Sequence, residues 1–231
     1  MNLSKKLAAL ARGMSAAERA NYKLLLGMAA GGLARNGHPP QGGIEALAFT
    51  TAITSISGLQ PHRHRVPPNG VVYRGRPSFV TVELLGDLKR ESASFRSTAV
   101  RFDDHYVASG APLARHVAFS TGLNDLIEAH ADHVTPTAKA NYLYYDEVGL
   151  GIDPHVDNES FSLNAILMLE HVYTENPSAL VLYPPHSSVE RIFLAPGEMV
   201  VMYADSITHA RERMRQGERV SIVAFGFQPI I

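Results

Sequence analysis

The feature that most constrains the fold is a run of short apolar segments that fills residues 138 to 227. Turn signals such as Pro184-Pro185 and Pro196-Gly197 separate these segments, as they separate strands in antiparallel sheets. We predict strands at residues 140–145, 152–157, 162–169, 179–183, 189–194, 199–203 and 219–227. Because helical sequence precedes them, the chain is expected to be mainly β with flanking α-helices, a cupin-like double-stranded β-helix (jelly roll) with helices on one sheet.

The first half of the chain is predicted to be largely helical. Apolar residues fall at helical spacing over residues 3–36, and Ser15-Ala-Ala-Glu18 has the form of a capping box that starts a second helix. Asn36-Gly37 marks its end, and residues 112–134 have helical periodicity again. Further strands are predicted at residues 78–85 and within residues 95–106.

The domain organisation follows from the even composition of the chain. No shift in composition marks a boundary, so residues 1–231 are expected to form one domain. Residues 1–45 would form a helical segment packed on the sheet, and residues 138–228 the core of the jelly roll. The Ala-rich face of the N-terminal helices could pair with a second copy, which makes a homo-oligomer possible.

Composition excludes several classes of function. The sequence has no cysteine, so His and carboxylate side chains are the metal ligands available. Its formal net charge is −1 with scattered Lys and Arg, which does not suit a nucleic acid backbone. No apolar run is long enough to span a membrane, and no signal peptide is recognisable. We therefore expect a cytoplasmic protein without nucleic acid or membrane partners.

A metal site is predicted from His155-Val156-Asp157 at the end of a strand. Alternate side chains of a strand share a face, so His155 and Asp157 converge on one point. A second imidazole would complete a facial triad of two His and one carboxylate. His209 is the best candidate, and His171 and His186 compete with it.

The last predicted strand begins with Arg219 and carries Ser221 on the same face. If that face points into the barrel, the guanidinium can bind a carboxylate through two parallel hydrogen bonds, and the hydroxyl can add a third. Taken alone, an Arg at the start of a strand is better explained by a surface salt bridge, so an anion-binding role for Arg219 depends on its combination with His155, Asp157 and His209.

Taken together, these motifs resemble the iron(II)/2-oxoglutarate-dependent dioxygenases. The resemblance covers residues 141 to 227 and includes the His-x-Asp motif, Pro196-Gly197 before Val200-Val201-Met202, a distal His, and Arg219-x-Ser-Ile-Val-Ala-Phe. It implies iron(II) held by His155, Asp157 and His209, with 2-oxoglutarate as cosubstrate and O₂ as oxidant. Arg219 and Ser221 would then bind the remote carboxylate of 2-oxoglutarate.

The strand before His-x-Asp supplies a Tyr or Asn to 2-oxoglutarate in this family. Tyr142 and Tyr144 share one face, and Asn141 and Tyr145 share the other, so only one pair can point inward. The sequence does not decide between the pairs. Tyr142 and Tyr144 are taken as the expected ligands.

The reaction implied by the resemblance is hydroxylation of an unactivated C–H bond, with release of succinate and CO₂. A small molecule is the expected substrate, an amino acid or a natural-product intermediate. Arg63, Arg65, Arg74 and Arg76 lie in the segment expected to wall the pocket and could face an anionic group of that substrate. Because Asp157 is present, halogenation is not expected.

Other functions remain open. Related repair dioxygenases act on nucleic acid and carry a second Arg six positions after the first, where this chain has Phe225. A protein-directed oxygenase is a further alternative. So is a non-catalytic metal-binding cupin, although a cupin usually presents a His-rich set with a Glu and no Arg-x-Ser strand.

Overall fold

The structure is a computed structural model and describes residues 3–34, 38–59, 62–102 and 104–230. In this part of the chain the helices are α1 (Leu3–Arg12), α2 (Ala16–Leu33), α3 (Gly43–Ser57), α4 (Val82–Phe95), α5 (Pro112–Ala118) and α6 (Thr121–Ala131). The strands are β1 (Val71–Gly75), β2 (Val100–Arg101), β3 (Tyr106–Ser109), β4 (Val134–Tyr145), β5 (Ile152–His155), β6 (Leu163–Val172), β7 (Leu180–Tyr183), β8 (Glu190–Ile192), β9 (Met199–Met202), β10 (Thr208–Arg211) and β11 (Arg219–Pro229).

The strands form two antiparallel sheets that face each other. The larger sheet has the order β1-β9-β6-β11-β4-β3-β2, and the smaller has the order β5-β10-β7-β8. The long strand β11 lies in the middle of the larger sheet and pairs with β4 on one side and β6 on the other. The predicted mainly β jelly roll is therefore confirmed.

Helices cover both sheets. The helices α4, α5 and α6 pack on the outer face of the larger sheet, around Leu88, Ile127 and Phe225. The helices α2 and α3 pack on the outer face of the smaller sheet, around Phe49 and Val181. The prediction of helices on one sheet alone was wrong, because the outer face of β7 and β10 is apolar too and has to be covered. No helix in the described residues is long and apolar enough to cross a membrane.

The local predictions for the helices had mixed outcomes. The capping box is confirmed, since the Ser15 side chain accepts from the Glu18 N–H and the Glu18 side chain accepts from the Ser15 N–H. The predicted break at Asn36-Gly37 lies outside the described residues. The predicted strand at residues 78–85 is wrong. There, the Thr81 side chain accepts from the Leu84 N–H at 3.1 Å and starts α4.

Contact between α2 and β5 positions the strand that carries His155. An added Cβ at Gly27 would lie 3.4 Å from Cγ2 of Val156, and one at Gly31 would lie 2.6 Å from the Pro154 carbonyl oxygen. Because glycine has no side chain, the helix approaches the strand at backbone distance. The strand β5 is an edge strand of its sheet with β10 on one side, and α2 packs against it.

Candidate active site

The structure brings His155, Asp157 and His209 together, and these three side chains are called the metal group below. His155 on β5 lies directly opposite His209 on β10, and Asp157 follows β5 with its N–H bonded to the Ala204 carbonyl at 2.9 Å. Oδ1 of Asp157 lies 3.4 Å from Nε2 of His155 and 3.7 Å from Nε2 of His209. One ligand atom from each of the three side chains lies within 4.8 Å of the others, which is close enough for all three to bind one metal ion.

The hydrogen bonds around the three side chains orient them as ligands. Nδ1 of His155 lies 2.8 Å from the Asp153 carbonyl oxygen, and Nδ1 of His209 lies 3.0 Å from the Ile207 carbonyl oxygen. A carbonyl only accepts, so in the neutral rings Nδ1 carries the proton and Nε2 presents its lone pair to the site. Nδ2 of Asn164 donates to Oδ2 of Asp157 at 2.8 Å, which leaves Oδ1 facing the two imidazoles.

The electrostatics of this group suit a cation. Burial, together with the neighbouring His155, lowers the pKa of His209 to about 4. Burial would raise the pKa of Asp157, but the two imidazoles and Asn164 hold it below its ordinary value. His155 has a raised pKa, because Asp157 outweighs the effect of burial. The site therefore holds an ionised carboxylate beside a neutral imidazole, and the donor set fits a divalent iron-type metal.

A cavity of about 300 Å³ lies between the two sheets and opens beside this group. Its walls are mostly apolar and include Leu143, Ile166, Met168, Ile192 and Ile222. Polar side chains line it as well, and an apolar pocket with placed polar groups is the usual composition of a small-molecule site. These polar residues are His105, Asn141, Tyr145, His155, Asp157, Asn158, Asn164, His209 and Arg211.

Arg211 is a candidate site residue that the sequence analysis did not predict. It lies two residues after His209 on β10, lines the same cavity and is only 8% exposed. Its Nη2 donates to Oγ of Ser178 at 2.8 Å and to the Ser178 carbonyl at 3.2 Å, while Nε has no partner in the described part of the chain. No carboxylate of those residues lies within ion-pair distance of it; burial lowers its pKa, and the more distant Tyr145, Glu218 and Glu212 offset this only in part. A carboxylate ligand in the cavity would give this buried guanidinium a direct partner.

Tyr145 on β4 faces Arg211 across the cavity. The Arg211 guanidinium carbon lies 6.0 Å from the centre of the Tyr145 ring. The ring is buried, and burial raises the pKa of its phenol, so the hydroxyl stays protonated and can donate a hydrogen bond. Arg211 and Tyr145 therefore place a cation and a hydroxyl donor in the same cavity as the two imidazoles and the carboxylate.

The prediction for Arg219 and Ser221 was wrong. Arg219 has a side chain that is 55% exposed, and it pairs with Glu170 on the outside of the larger sheet at 3.2 Å. Ser221 lies beside it at a separate surface pocket. The reason is the face of β11, because the residues that line the cavity between the sheets are Val220, Ile222 and Ala224.

The prediction for Tyr142 and Tyr144 was wrong for the same reason. The Tyr142 hydroxyl donates to Glu91 at 2.7 Å, and the Tyr144 hydroxyl donates to the Ser92 carbonyl at 2.7 Å, so both point towards α4. The other pair, Asn141 and Tyr145, lines the cavity.

The arginines expected near the substrate also lie elsewhere. None of Arg63, Arg65, Arg74 and Arg76 lines the cavity. They contact carbonyl groups at the surface of the protein: Gly58 for Arg63, His133 for Arg65, Phe193 for Arg74 and Pro196 for Arg76. The competing ligand His171 is bound to Glu218 at 2.8 Å, away from Asp157.

Comparison with known proteins identifies structures that have a similar fold. No protein-family model and no curated protein sequence matches the chain. Among solved structures, the chain is similar to the non-heme alpha ketoglutarate dependent epimerase SnoN from nogalamycin biosynthesis, with 15% identity and a TM-score of 0.61 over 77% of this chain and 83% of SnoN. It is also similar to a Pseudomonas putida prolyl-4-hydroxylase, with 12% identity and a TM-score of 0.55 over 78% of this chain and 100% of that one.

A third similar structure is HygX from Streptomyces hygroscopicus with nickel and 2-oxoglutarate bound. Its identity is 10% and its TM-score 0.54, over 71% of this chain and 84% of HygX. This chain therefore has the fold found in structures of 2-oxoglutarate-dependent non-heme oxygenases. The expected jelly roll and the resemblance noted in the sequence agree with it.

Proposed function

We propose that the protein is an iron(II)- and 2-oxoglutarate-dependent oxygenase that hydroxylates an unactivated C–H bond of a small molecule, with release of succinate and CO₂. The observation that carries this proposal is the face of β10, on which His209 of the metal group is followed two residues later by the buried Arg211, which makes no direct ion pair with a carboxylate of the described residues. One cavity thus offers a site for a divalent metal and a site for a carboxylate.

Each residue has a defined role in this proposal. His155, Asp157 and His209 would hold iron(II), which supplies the activation of O₂ when it is bound. Arg211 binds the remote carboxylate of 2-oxoglutarate through its planar guanidinium, and Ser178 holds that guanidinium in place. Tyr145 donates its hydroxyl to the same carboxylate. The apolar walls exclude water from the reacting groups.

The cavity supports a small-molecule substrate over a macromolecular one. It lies between the two sheets, and its walls are largely apolar. Arg211 is the one Lys or Arg among the described residues that line it, so the cavity does not offer a basic surface to a nucleic acid strand. The similar structures include both a nogalamycin biosynthesis enzyme and a prolyl-4-hydroxylase, so this choice rests on the cavity.

The test combines anaerobic iron(II) binding with turnover of 2-oxoglutarate in air. Wild type should bind iron(II) and form succinate from 2-oxoglutarate in an O₂-dependent reaction, and Asp157→Ala and His209→Ala should lose both properties. His116→Ala, a change of an exposed His on α5, is the matched control and should keep both. Iron binding at wild-type affinity in Asp157→Ala, or absence of succinate from iron-loaded wild type, would contradict the proposal.

A further inference from the structure

His105 also lines the cavity, and the function proposed above gives it no role in binding the metal or the cosubstrate. It lies in the turn before β3 and lines the cavity beside Val107 and Ile152. Its Nδ1 lies 2.6 Å from Oδ1 of Asp104. The Asp104 backbone carbonyl accepts from the Gly151 N–H at 2.8 Å, which fixes this turn to the loop before β5.

The ring of His105 has two aromatic neighbours. It stacks on Phe102 with ring centres 5.3 Å apart and an angle of 13° between the planes. It also stacks on Tyr145 at 5.9 Å and 24°. Together with the bond to Asp104, these contacts restrict the orientation of the ring.

The hydrogen bond to Asp104 determines which nitrogen of the His105 ring carries the proton and which keeps a free lone pair. Burial alone would raise the pKa of Asp104. The neighbouring His105, Arg213 and His155 outweigh burial and lower this pKa below its ordinary value, so the carboxylate is ionised. An ionised carboxylate only accepts, so Nδ1 of His105 carries a proton and donates it to Asp104. In the neutral ring Nε2 then has a free lone pair, and it has no hydrogen-bond partner among the residues that the structure describes.

The charges around the cavity limit what can meet this lone pair. Arg211 would be occupied by 2-oxoglutarate, and Arg213 forms an ion pair with Asp153 at 2.6 Å. An anionic substrate would therefore have no free cation in the described walls, and a buried unpaired charge is costly. The one carboxylate among the described residues that line the cavity is Asp157, which is already paired with the two imidazoles of the metal group, so a cationic substrate would have no free partner there either.

We propose that His105 is a specificity-determining residue and that the substrate is a neutral, mostly apolar molecule whose hydroxyl or amide N–H donates to Nε2 of His105. This inference rests on the proposed function, because it leaves Arg211 to the cosubstrate. Asn141 adds a second point of recognition. Its Oδ1 accepts from Ser109 at 2.8 Å, so its amide N–H group is left to face the cavity as a donor. The cavity of about 300 Å³ is at the small end for ligand sites, so the part of the substrate that enters is compact.

The test uses three probes of the same shape and different charge: cyclohexanol, cyclohexanecarboxylate and cyclohexylammonium. Each is titrated into metal-free protein with ¹⁵N-labelled histidine and saturating 2-oxoglutarate, and the His105 ring signals are followed by NMR. Cyclohexanol should shift Nε2 of His105, and the two charged probes should not. His105→Phe should weaken cyclohexanol binding about threefold to tenfold, as expected for the loss of one neutral hydrogen bond.

Two further variants separate recognition from folding. Asp104→Asn keeps the His105 ring but removes the carboxylate that fixes its proton, so it should also weaken cyclohexanol binding. His116→Phe makes the same change at an exposed position outside the cavity and should bind cyclohexanol like wild type. An unshifted His105 at millimolar cyclohexanol, tighter binding of either charged probe, or wild-type affinity in His105→Phe would overturn the proposal. Because no iron is needed, these results are independent of whether succinate is formed.

Discussion

At the scale of single residues, Asn164 controls the orientation of the Asp157 carboxylate. Its amide Nδ2 donates to Oδ2 of Asp157 at 2.8 Å, and its own Oδ1 is buried without a partner in the described residues. Without this bond the carboxylate can rotate about its terminal torsion angle, and Oδ1 no longer faces the two imidazoles. Hydrogen bonds of this kind support metal ligands and affect affinity strongly.

We predict that Asn164→Leu lowers the affinity for iron(II) or manganese(II) by about 10-fold to 100-fold, the range typical for loss of such a support. The measurement is anaerobic equilibrium dialysis of the metal against the purified variant. Asn124→Leu is the control, because Asn124 bonds to the Ser120 carbonyl within the α6 region, away from the metal group. Equal loss of affinity in both variants would show that general destabilisation, and not Asn164, is responsible.

The residue scale also shows what the sequence could and could not predict about the site. His155 and Asp157 were predictable because strand periodicity places alternate side chains on one face. The same rule would place His209 and Arg211 on one face of a strand, but β10 was not among the predicted strands. Which face of β4 and β11 points inward depends on where α4 packs, and no local pattern in the sequence specifies that.

At the scale of elements, the contact of α2 with the edge strand β5 is the support for the metal group. An added methyl group at Gly31 would lie 2.6 Å from the Pro154 carbonyl oxygen, a backbone atom that cannot move aside without moving β5. The neighbouring Gly32 has nothing within 4 Å of such a methyl group. The two glycines therefore differ in packing although they lie side by side in one helix.

We predict that Gly31→Ala lowers both the melting temperature and the metal affinity, because it forces α2 away from the strand that carries His155. Gly32→Ala is the matched control. It should leave metal affinity unchanged and leave the free energy of unfolding unchanged or raise it by up to about 1 kcal/mol, since alanine is the better helix former. Thermal unfolding and metal titration of both variants give the comparison. Identical behaviour of the two variants would contradict the role of this contact.

The wrong prediction for residues 78–85 has a physical cause. They are a short apolar run, and such a run does not distinguish strand from helix by periodicity alone. The cap at Thr81 and the burial of Leu85 and Leu88 on one face settle it as the start of α4. Most of the C-terminal strands were easier to predict, because Pro or Gly separates them, but the short strand β10 was not predicted.

At the scale of the whole molecule, a buried polar network connects Arg211 to the far end of β6. The Glu218 carboxylate accepts from the Ser178 N–H at 2.6 Å and lies 2.8 Å from Nε2 of His171. Burial is the main cause that lowers the pKa of His171, and Arg211 contributes in the same direction. His171 therefore stays neutral in the folded protein at pH values where the unfolded chain would already bind a proton.

Because the pKa of His171 is lower in the folded protein than in the unfolded chain, the free energy of unfolding depends on pH. Below the ordinary His pKa of 6.5 the unfolded state binds more protons at His171 than the folded state does, so the free energy of unfolding falls as the pH is lowered. We predict that the stability difference between wild type and His171→Gln shrinks from about pH 7.5 to about pH 5.5, because the variant lacks this titration. Urea unfolding at the two pH values measures it. A constant difference would mean that His171 titrates alike in both states.

The central claim is that the cavity binds 2-oxoglutarate through Arg211 next to the metal group. The most direct test is anaerobic titration of 2-oxoglutarate into the manganese(II)-loaded protein, comparing wild type, Arg211→Ala and Arg219→Ala. Removing one partner of a buried charge pair costs about 2–5 kcal/mol, so Arg211→Ala should weaken 2-oxoglutarate binding about 30-fold to several thousand-fold. Arg219→Ala, at the exposed pair with Glu170, should bind like wild type. Metal affinity should be unchanged in both. Unchanged 2-oxoglutarate affinity in Arg211→Ala, or a loss confined to Arg219→Ala, would contradict the account.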